Sequence, residues 1–401
     1  MIEAPRLLLY SHDTFGLGHL RRNCKIANAL AAAFPHARIL IATGSQKAGS
    51  FALDERIELV RLPGIYKVTD GSYHSGESGR SRQMVLEERS RIIARAAMTL
   101  RPHIFIADKE PLGLLGELEE TLHILRAFGT HLVLGVRDVL DEPDILRQEW
   151  EKKRITPQIE DLYDAFWVYG PTGFHDPLAG LDLASSVVER TRFLGFIDAL
   201  SWPASLPDPT PALPEEYLLV TAGGGGDGFE LMSAVVAAYE RDPGIPLPGV
   251  FLLGPFMESP DAQEIKRRAA AVPGSTVIDF AAAPEPLLAG ASGVVAMCGY
   301  NTFCEVLGQD KPALFIPRER PRLEQFIRAS HASELSLCSM IRSEDALSDP
   351  LALARALRRL PYGPRPSTAP NKVSMNGLQE LCRLVARQLM SEQPMERASN
   401  G

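Results

Sequence analysis

No apolar run in this chain of 401 residues approaches the roughly 20 residues that span a bilayer. The opening run Leu7-Leu8-Leu9-Tyr10, between Arg6 and Ser11-His12-Asp13, is too short for a signal-peptide core. A cytoplasmic protein is expected, with room for peripheral docking at the inner face of the cell membrane. Cysteine is scarce: Cys24, Cys298, Cys304, Cys338 and Cys382 are odd in number and lack Cys-x-x-Cys spacing, which argues for reduced thiols against a disulfide framework or zinc site. Positive charge is not in excess, since 42 Lys and Arg face 50 Asp and Glu for a net charge of −8. That balance argues against a nucleic-acid partner, whose phosphates call for a Lys/Arg-rich face. Asp-x-Asp is missing altogether, so a metal bridge to a diphosphate is not encoded in its usual form and no metal ligands are assigned. A solenoid repeat is also lacking.

What is present is a steady alternation of short apolar runs with amphipathic segments of helical length, the pattern of α/β architecture with mostly parallel sheets. The runs fall at Leu7–Tyr10, Ile39–Ala42, Ile57–Leu62, Ile104–Ala107, Leu132–Val136, Phe166–Tyr169 and Phe193–Ile197. The rhythm restarts at Tyr217 with Leu218–Val220, Val250–Leu253, Val277–Ile278, Val294–Met297 and Ala313–Ile316. Between them a proline-rich stretch, 201–216, cannot form continuous helix and reads as a linker. Two Rossmann-like domains facing an interdomain cleft are expected, 1–200 and 217–370. A closing helix, 371–390, carries Leu378, Leu381, Val385 and Leu389 at helical spacing and is expected to pack across the seam. The polar tail 391–401 is expected to be disordered.

Each half opens with a strand and a glycine-rich turn. In Phe15-Gly-Leu-Gly-His-Leu-Arg-Arg22, Gly16 and Gly18 let backbone approach a ligand, while His19 and Arg22 share the first turn of a helix. A neutral His19, with an ordinary pKa of about 6.5, suits a general base, and Arg22 suits a phosphate. His19 as a plain helix-start residue is the alternative, and His12 reads as a loop hydrogen-bonder. Asp108 and Asp138 end apolar strands and are candidates for orienting His19, with Arg137 for an acceptor phosphate. Salt-bridged scaffolding explains the same residues equally well. In the second half, Thr221-Ala-Gly-Gly-Gly-Gly-Asp-Gly-Phe229 contains four successive glycines, including Gly224 and Gly225, which an ordinary turn does not need. They fit close approach to a ligand or the facing domain, or else a flexible connector.

The segment Gly293–Glu305 is the most informative. An apolar run ends at Gly299, Asn301-Thr302 opens the next element, and Glu305 lies one helical turn inside it. Backbone N–H groups at that helix start suit a diphosphate, and Glu305 can accept hydrogen bonds from ribose hydroxyls. Glu324 and Gln325 follow the strand ending at Ile316 and can bond sugar hydroxyls.

Gly299-Tyr-Asn-Thr-Phe-Cys-Glu305, Pro312-Ala-Leu-Phe-Ile-Pro317 and Glu324-Gln325 together resemble the GT-B glycosyltransferases of family 28 type. Asp108-Lys-Glu-Pro-Leu-Gly113 and Leu134-Gly-Val-Arg-Asp138 look like a less characterised branch of predicted glycosyltransferases. The resemblance implies a hexosyltransferase with UDP-sugar as co-substrate and no other cofactor. It implies that Glu305 binds ribose, Asn301 and Thr302 lie near the diphosphate, Phe280 lies by the uracil, and Glu324 with Gln325 reads the sugar. His19 matches the histidine of the family's first glycine-rich loop. The acceptor is unspecified, with lipid-linked acceptors of cell-envelope or exopolysaccharide synthesis among those implied. A nucleotide-sugar hydrolase or epimerase on the same architecture, and a non-catalytic sensor, are the competing readings.

Overall fold

The computed structural model describes residues 4–13, 17–67, 73–75, 79–197, 212–281 and 283–391. Gly16, most of the proline-rich stretch and the last ten residues lie outside that set. The chain divides into two compact units, one of residues 1–138, 143–197 and 376–401, the other of residues 139–142 and 198–375.

The first unit is built on β1 (Arg6–Ser11), β2 (Arg38–Thr43), β3 (Ile57–Arg61), β4 (Ile65–Lys67), β5 (Tyr73–Ser75), β6 (Ile104–Asp108), β7 (His131–Arg137), β8 (Ala165–Tyr169) and β9 (Thr191–Phe193). Seven of these form one sheet in the order β3-β2-β1-β6-β7-β8-β9, every pair parallel. Helices cross over between successive strands, so both faces of the sheet are covered and its strands read as unbroken apolar runs. Leu7, Leu8, Leu9 and Tyr10 are all 0 % exposed. β4 and β5 form a separate antiparallel hairpin that the apolar pattern did not announce. The last strand of the sheet starts at Thr191, two residues ahead of the apolar run.

The second unit repeats the plan with β10 (Leu218–Thr221), β11 (Gly249–Leu252), β12 (Thr276–Ile278), β13 (Gly293–Ala296), β14 (Ala313–Phe315) and β15 (Ser339–Met340). They form one parallel sheet in the order β12-β11-β10-β13-β14-β15. The two-residue β15 is too short and too polar to have been seen as an apolar run. The helices Phe229–Arg241 and Pro350–Arg359 pack together over one face of this sheet and supply Val235, Val236, Leu353 and Leu357 to its core.

The closing helix runs Gly377–Ser391 and buries Leu378, Leu381, Val385 and Leu389, the stripe its spacing requires. It belongs to the first unit, where it packs on the helix Gly18–Ala33. An antiparallel bridge between Ile197 and Asn376 brings the returning chain into place.

The sheet orders locate the ligand-binding edge of each unit by topology alone. In an open parallel sheet, crossovers run to opposite faces on either side of the point where strand order reverses, which leaves a crevice at the carboxyl ends there. That point lies between β1 and β6 in the first unit, and between β10 and β13 in the second.

Candidate functional site

In the first unit the switch point is occupied by His19 and Asp108. His19 sits on the first turn of the helix Gly18–Ala33, and Asp108 is the last residue of β6. The His19 Nδ1 lies 2.7 Å from Asp108 Oδ2, with the carboxylate side chain 1 % exposed and the imidazole 14 %. A carboxylate only accepts, so Nδ1 carries the proton and Nε2 keeps its lone pair. Among the described residues the structure gives Nε2 no partner.

Burial holds the His19 pKa down at about 4, against the opposing pull of Asp108. The imidazole is therefore neutral at physiological pH. Burial alone would raise the Asp108 pKa, but Arg22 and His19 together keep it well below the ordinary carboxylate range. His12 meets the His19 ring edge-on at 5.7 Å, and burial pushes its pKa down to about 3. It is thus a neutral neighbour packed on the His19 ring.

The structure gives Arg22 a different partner from the phosphate its charge suggested. Its side chain is 1 % exposed, and Nη2 donates to Asp108 Oδ1 at 2.7 Å and Oδ2 at 2.8 Å. Its guanidinium stands 5.5 Å from the centre of the Tyr169 ring at the end of β8. Gly135 makes room for that ring, because a Cβ there would lie 2.0 Å from the Tyr169 hydroxyl oxygen. Asn23 Nδ2 adds a 3.2 Å bond to Asp108 Oδ2. Asp138, fully buried, follows β7, and a Cβ on Gly170 would press on its side chain at 2.8 Å. Asp108 is the carboxylate that reaches the imidazole. Arg137, half-buried, closes β7 opposite Tyr169. Gly18 opens the helix, and Gly16 is outside the described residues.

In the second unit the loops after β10, β11 and β13 converge. Gly225 has φ +87°, and a Cβ there would lie 2.4 Å from the Leu253 carbonyl oxygen. A Cβ on Gly254 would lie 2.5 Å from the Gly223 carbonyl oxygen and 2.7 Å from that of Gly224, and Phe256 N–H donates to the Gly224 oxygen at 3.0 Å. The glycines thus serve close approach of two backbone loops. A Cβ on Gly223 would sit 3.8 Å from Thr302 Oγ1, which puts the loop beside the start of the helix Tyr300–Gly308. Gly299 caps that helix without a side-chain hydrogen bond, and Cys298 before it turns through φ +69°. Asn301 and Thr302 are half-buried on the first turn, while Glu305 is 2 % exposed on the second. Phe280, half-buried, follows β12.

Glu324 and Gln325 open the helix Glu324–Glu334. Gln325 Oε1 accepts from the Arg318 N–H at 3.2 Å, and Arg318 bridges Asp227 of the glycine loop at 2.7 Å to Glu324 at 3.4 Å. Arg328, 0 % exposed, donates to the Cys298 carbonyl at 3.0 Å and stacks over Tyr300 at 5.7 Å. It pins the turn that aims the helix start.

Sequence reasoning passed over Asn23, Tyr169, Asp227 and Arg328. Asn23 was within reach, since it lies four residues after His19 on the same helical face. Tyr169 ends a distant strand, Asp227 lies in the glycine loop and Arg328 stands four residues after Glu324 on the helix Glu324–Glu334, and nothing local marks the partner that each one meets. Among the described residues, no group of three or more His, Cys, Asp or Glu is placed to hold a metal ion, and no helix is long and apolar enough to cross a membrane.

No family model and no curated protein matches the chain. Several solved structures do. The glycotransferase of kitacinnamycin is 17 % identical over 96 % of this chain and 99 % of its own, with a TM-score of 0.60. MurG of Acinetobacter baumannii is 13 % identical over 96 % and 99 %, with a TM-score of 0.57. UGT2 of Phytolacca americana, solved with UDP-2-fluoro-glucose and pterostilbene, is 14 % identical over 96 % and 100 %, with a TM-score of 0.58. The fold is that of the GT-B glycosyltransferases, with two parallel-sheet α/β domains.

Proposed function

We propose that the chain catalyses metal-independent, inverting transfer of a sugar from a UDP-sugar to an acceptor hydroxyl, in the synthesis of a cell-envelope or exopolysaccharide glycan. The observation that carries this reading is the 2.7 Å contact between His19 Nδ1 and Asp108, which leaves a neutral imidazole with its Nε2 lone pair available. In the reaction Nε2 takes the acceptor proton as the acceptor oxygen bonds to the anomeric carbon. The bond from that carbon to the diphosphate oxygen breaks, and UDP departs with the electron pair. One displacement without a covalent intermediate inverts the anomeric centre. The new imidazolium faces the Asp108 carboxylate until the proton passes to water.

The second unit's loops supply what the leaving group calls for. The helix start at Gly299 favours negative charge, and Glu305 has oxygens of the kind that ribose hydroxyls need. Phe280 has a face for uracil, and Glu324 with Gln325 has acceptors for sugar hydroxyls. The fold is shared with glycosyltransferases, which supports the reaction class and leaves the donor and acceptor to experiment.

UDP release by the purified protein in EDTA, over a panel of UDP-sugars with and without a bacterial lipid extract, tests the proposal. Release that requires one donor and the extract is the expected result, with a lipid-linked acceptor in that extract. Fast release of free sugar without extract would replace transfer with hydrolysis. Replacing His19 with Ala should lower turnover about 10²- to 10⁴-fold while UDP affinity stays near wild type.

A further inference from the structure

We infer that Arg22 is a positioning residue that acts on His19 through Asp108, clamping the carboxylate so that the imidazole holds its Nδ1–H tautomer. The role in turnover rests on the transferase reading above, whereas the clamp itself does not. Three features carry it. Arg22 is almost wholly buried, so it has no exposed face with which to meet a solvent-borne phosphate. Its Nη2 donates to both Asp108 oxygens, at 2.7 and 2.8 Å, and lies 3.1 Å from His19 Nδ1, where with the proton on Nδ1 it acts through its charge and makes no hydrogen bond. Tyr169 and Asn23 close the clamp, the ring beside the guanidinium and the amide on Oδ2.

The geometry has an electrostatic consequence. An isolated carboxylate on Nδ1 favours the imidazolium, but Arg22 offsets much of that pull with a positive charge at nearly the same place. The other charged or titratable groups acting on His19 are Asp108, Lys109 and His12. Of the two positive ones, only Arg22 touches both members of the dyad. Burial keeps His19 a free base and Arg22 adds to that by offsetting Asp108, which remains positioned to receive the imidazolium during turnover.

The test is the titration and tautomer of His19, followed by ¹⁵N imidazole NMR on the full chain without substrate. In parallel, the acid limb of kcat/KM is recorded. The wild-type midpoint is expected at about 4, with the Nδ1–H tautomer above it. Arg22→Gln should raise the midpoint by about 1 to 3 pH units, because a like charge in contact with the ring is gone. Arg22→Lys, which keeps the charge, should bring it back toward the wild-type value. An unchanged midpoint in folded Arg22→Gln overturns the assignment. Should that variant fail to fold, Arg22→Lys itself decides, because it keeps the charge and gives up the planar guanidinium that meets both Asp108 oxygens. It should populate the Nε2–H tautomer and lower kcat, and a wild-type tautomer there also overturns the assignment. A shifted titration in a protein that cleaves no UDP-sugar would sink the transferase reading and leave the clamp standing.

Discussion

At the scale of single residues, the site is an economical arrangement of buried charge. Asp108 and Arg22 are each about 1 % exposed and neutralise one another, so the neutral His19 can lie against them without adding a net buried charge. Removing either partner is costly for that reason. Asp108→Asn should destabilise the fold by about 3 to 5 kcal/mol, since it strands the Arg22 guanidinium in the interior. The amide would also offer its NH₂ to Nδ1 and favour the wrong tautomer, so kcat should fall about 10²- to 10⁴-fold with UDP affinity intact. Urea unfolding and steady-state kinetics on the same preparation separate the two effects. A variant that lost stability and kept full turnover would remove Asp108 from the reaction. The Gly-His-x-x-Arg pattern was legible in the chain, and so was His19 as a candidate. Whether Asp108 or Asp138 faced it was not, because both end parallel strands with equal local credentials.

Elements explain the glycines. Gly225 cannot carry a side chain, since its φ of +87° is unfavourable for other residues and a Cβ would collide with the Leu253 carbonyl. Gly299 differs: its φ is −61°, and a Cβ there meets nothing within 4 Å. The two positions give opposite expectations. Gly225→Ala should cost more than about 1 kcal/mol of stability, because the loop must move. Gly299→Ala should cost less than about 1 kcal/mol, as expected for an exchange at a helix N-cap, yet weaken UDP binding if a diphosphate approaches the backbone. Thermal melts and isothermal titration with UDP distinguish them, and wild-type affinity in Gly299→Ala would take that residue out of the donor site. The four-glycine run was conspicuous in the sequence. Its use was not, because the surface it approaches, Leu253-Gly254, follows another strand.

For the whole molecule, burying neutral histidines sets the response to acid. His12 and His19 titrate in the folded state at about 3 and about 4, so between pH 6.5 and 4 the unfolded chain takes up two protons that the folded one refuses. Asp13, buried beside Ser11 and Thr43, works the other way: burial raises its pKa to about 6, so below that pH the folded chain holds a proton the unfolded one lacks. For these three groups the balance is about one proton in favour of unfolding, or about 1.4 kcal/mol lost per pH unit on acidification, and His103 and His131, which burial also holds below the ordinary histidine value, act in the same direction. Stability should be greatest above pH 6.5 and decline steadily toward pH 4.5. Below the usual Asp range the lowered Asp108 adds to the loss, since its contribution disappears as it protonates. Calorimetry across that range checks the sum, and a melting temperature flat from pH 7 to 4.5 would contradict the burial of both imidazoles.

The chain read alone carries the α/β class, nearly every strand of the two sheets, and the buried stripe of the closing helix. Those follow from apolar periodicity, which records burial one segment at a time. It also marked the glycine-rich turns and the residues from Gly299 to Glu305, where local backbone needs and chemistry coincide. The fold alone set strand order, and with it the switch points between β1 and β6 and between β10 and β13. It also decided that Arg22 faces Asp108, that Arg318 joins Asp227 to Glu324, and that the closing helix lies on the first unit. These are pairings between segments up to nearly a hundred residues apart and more, and a one-dimensional pattern carries no record of which distant partner a charge will meet.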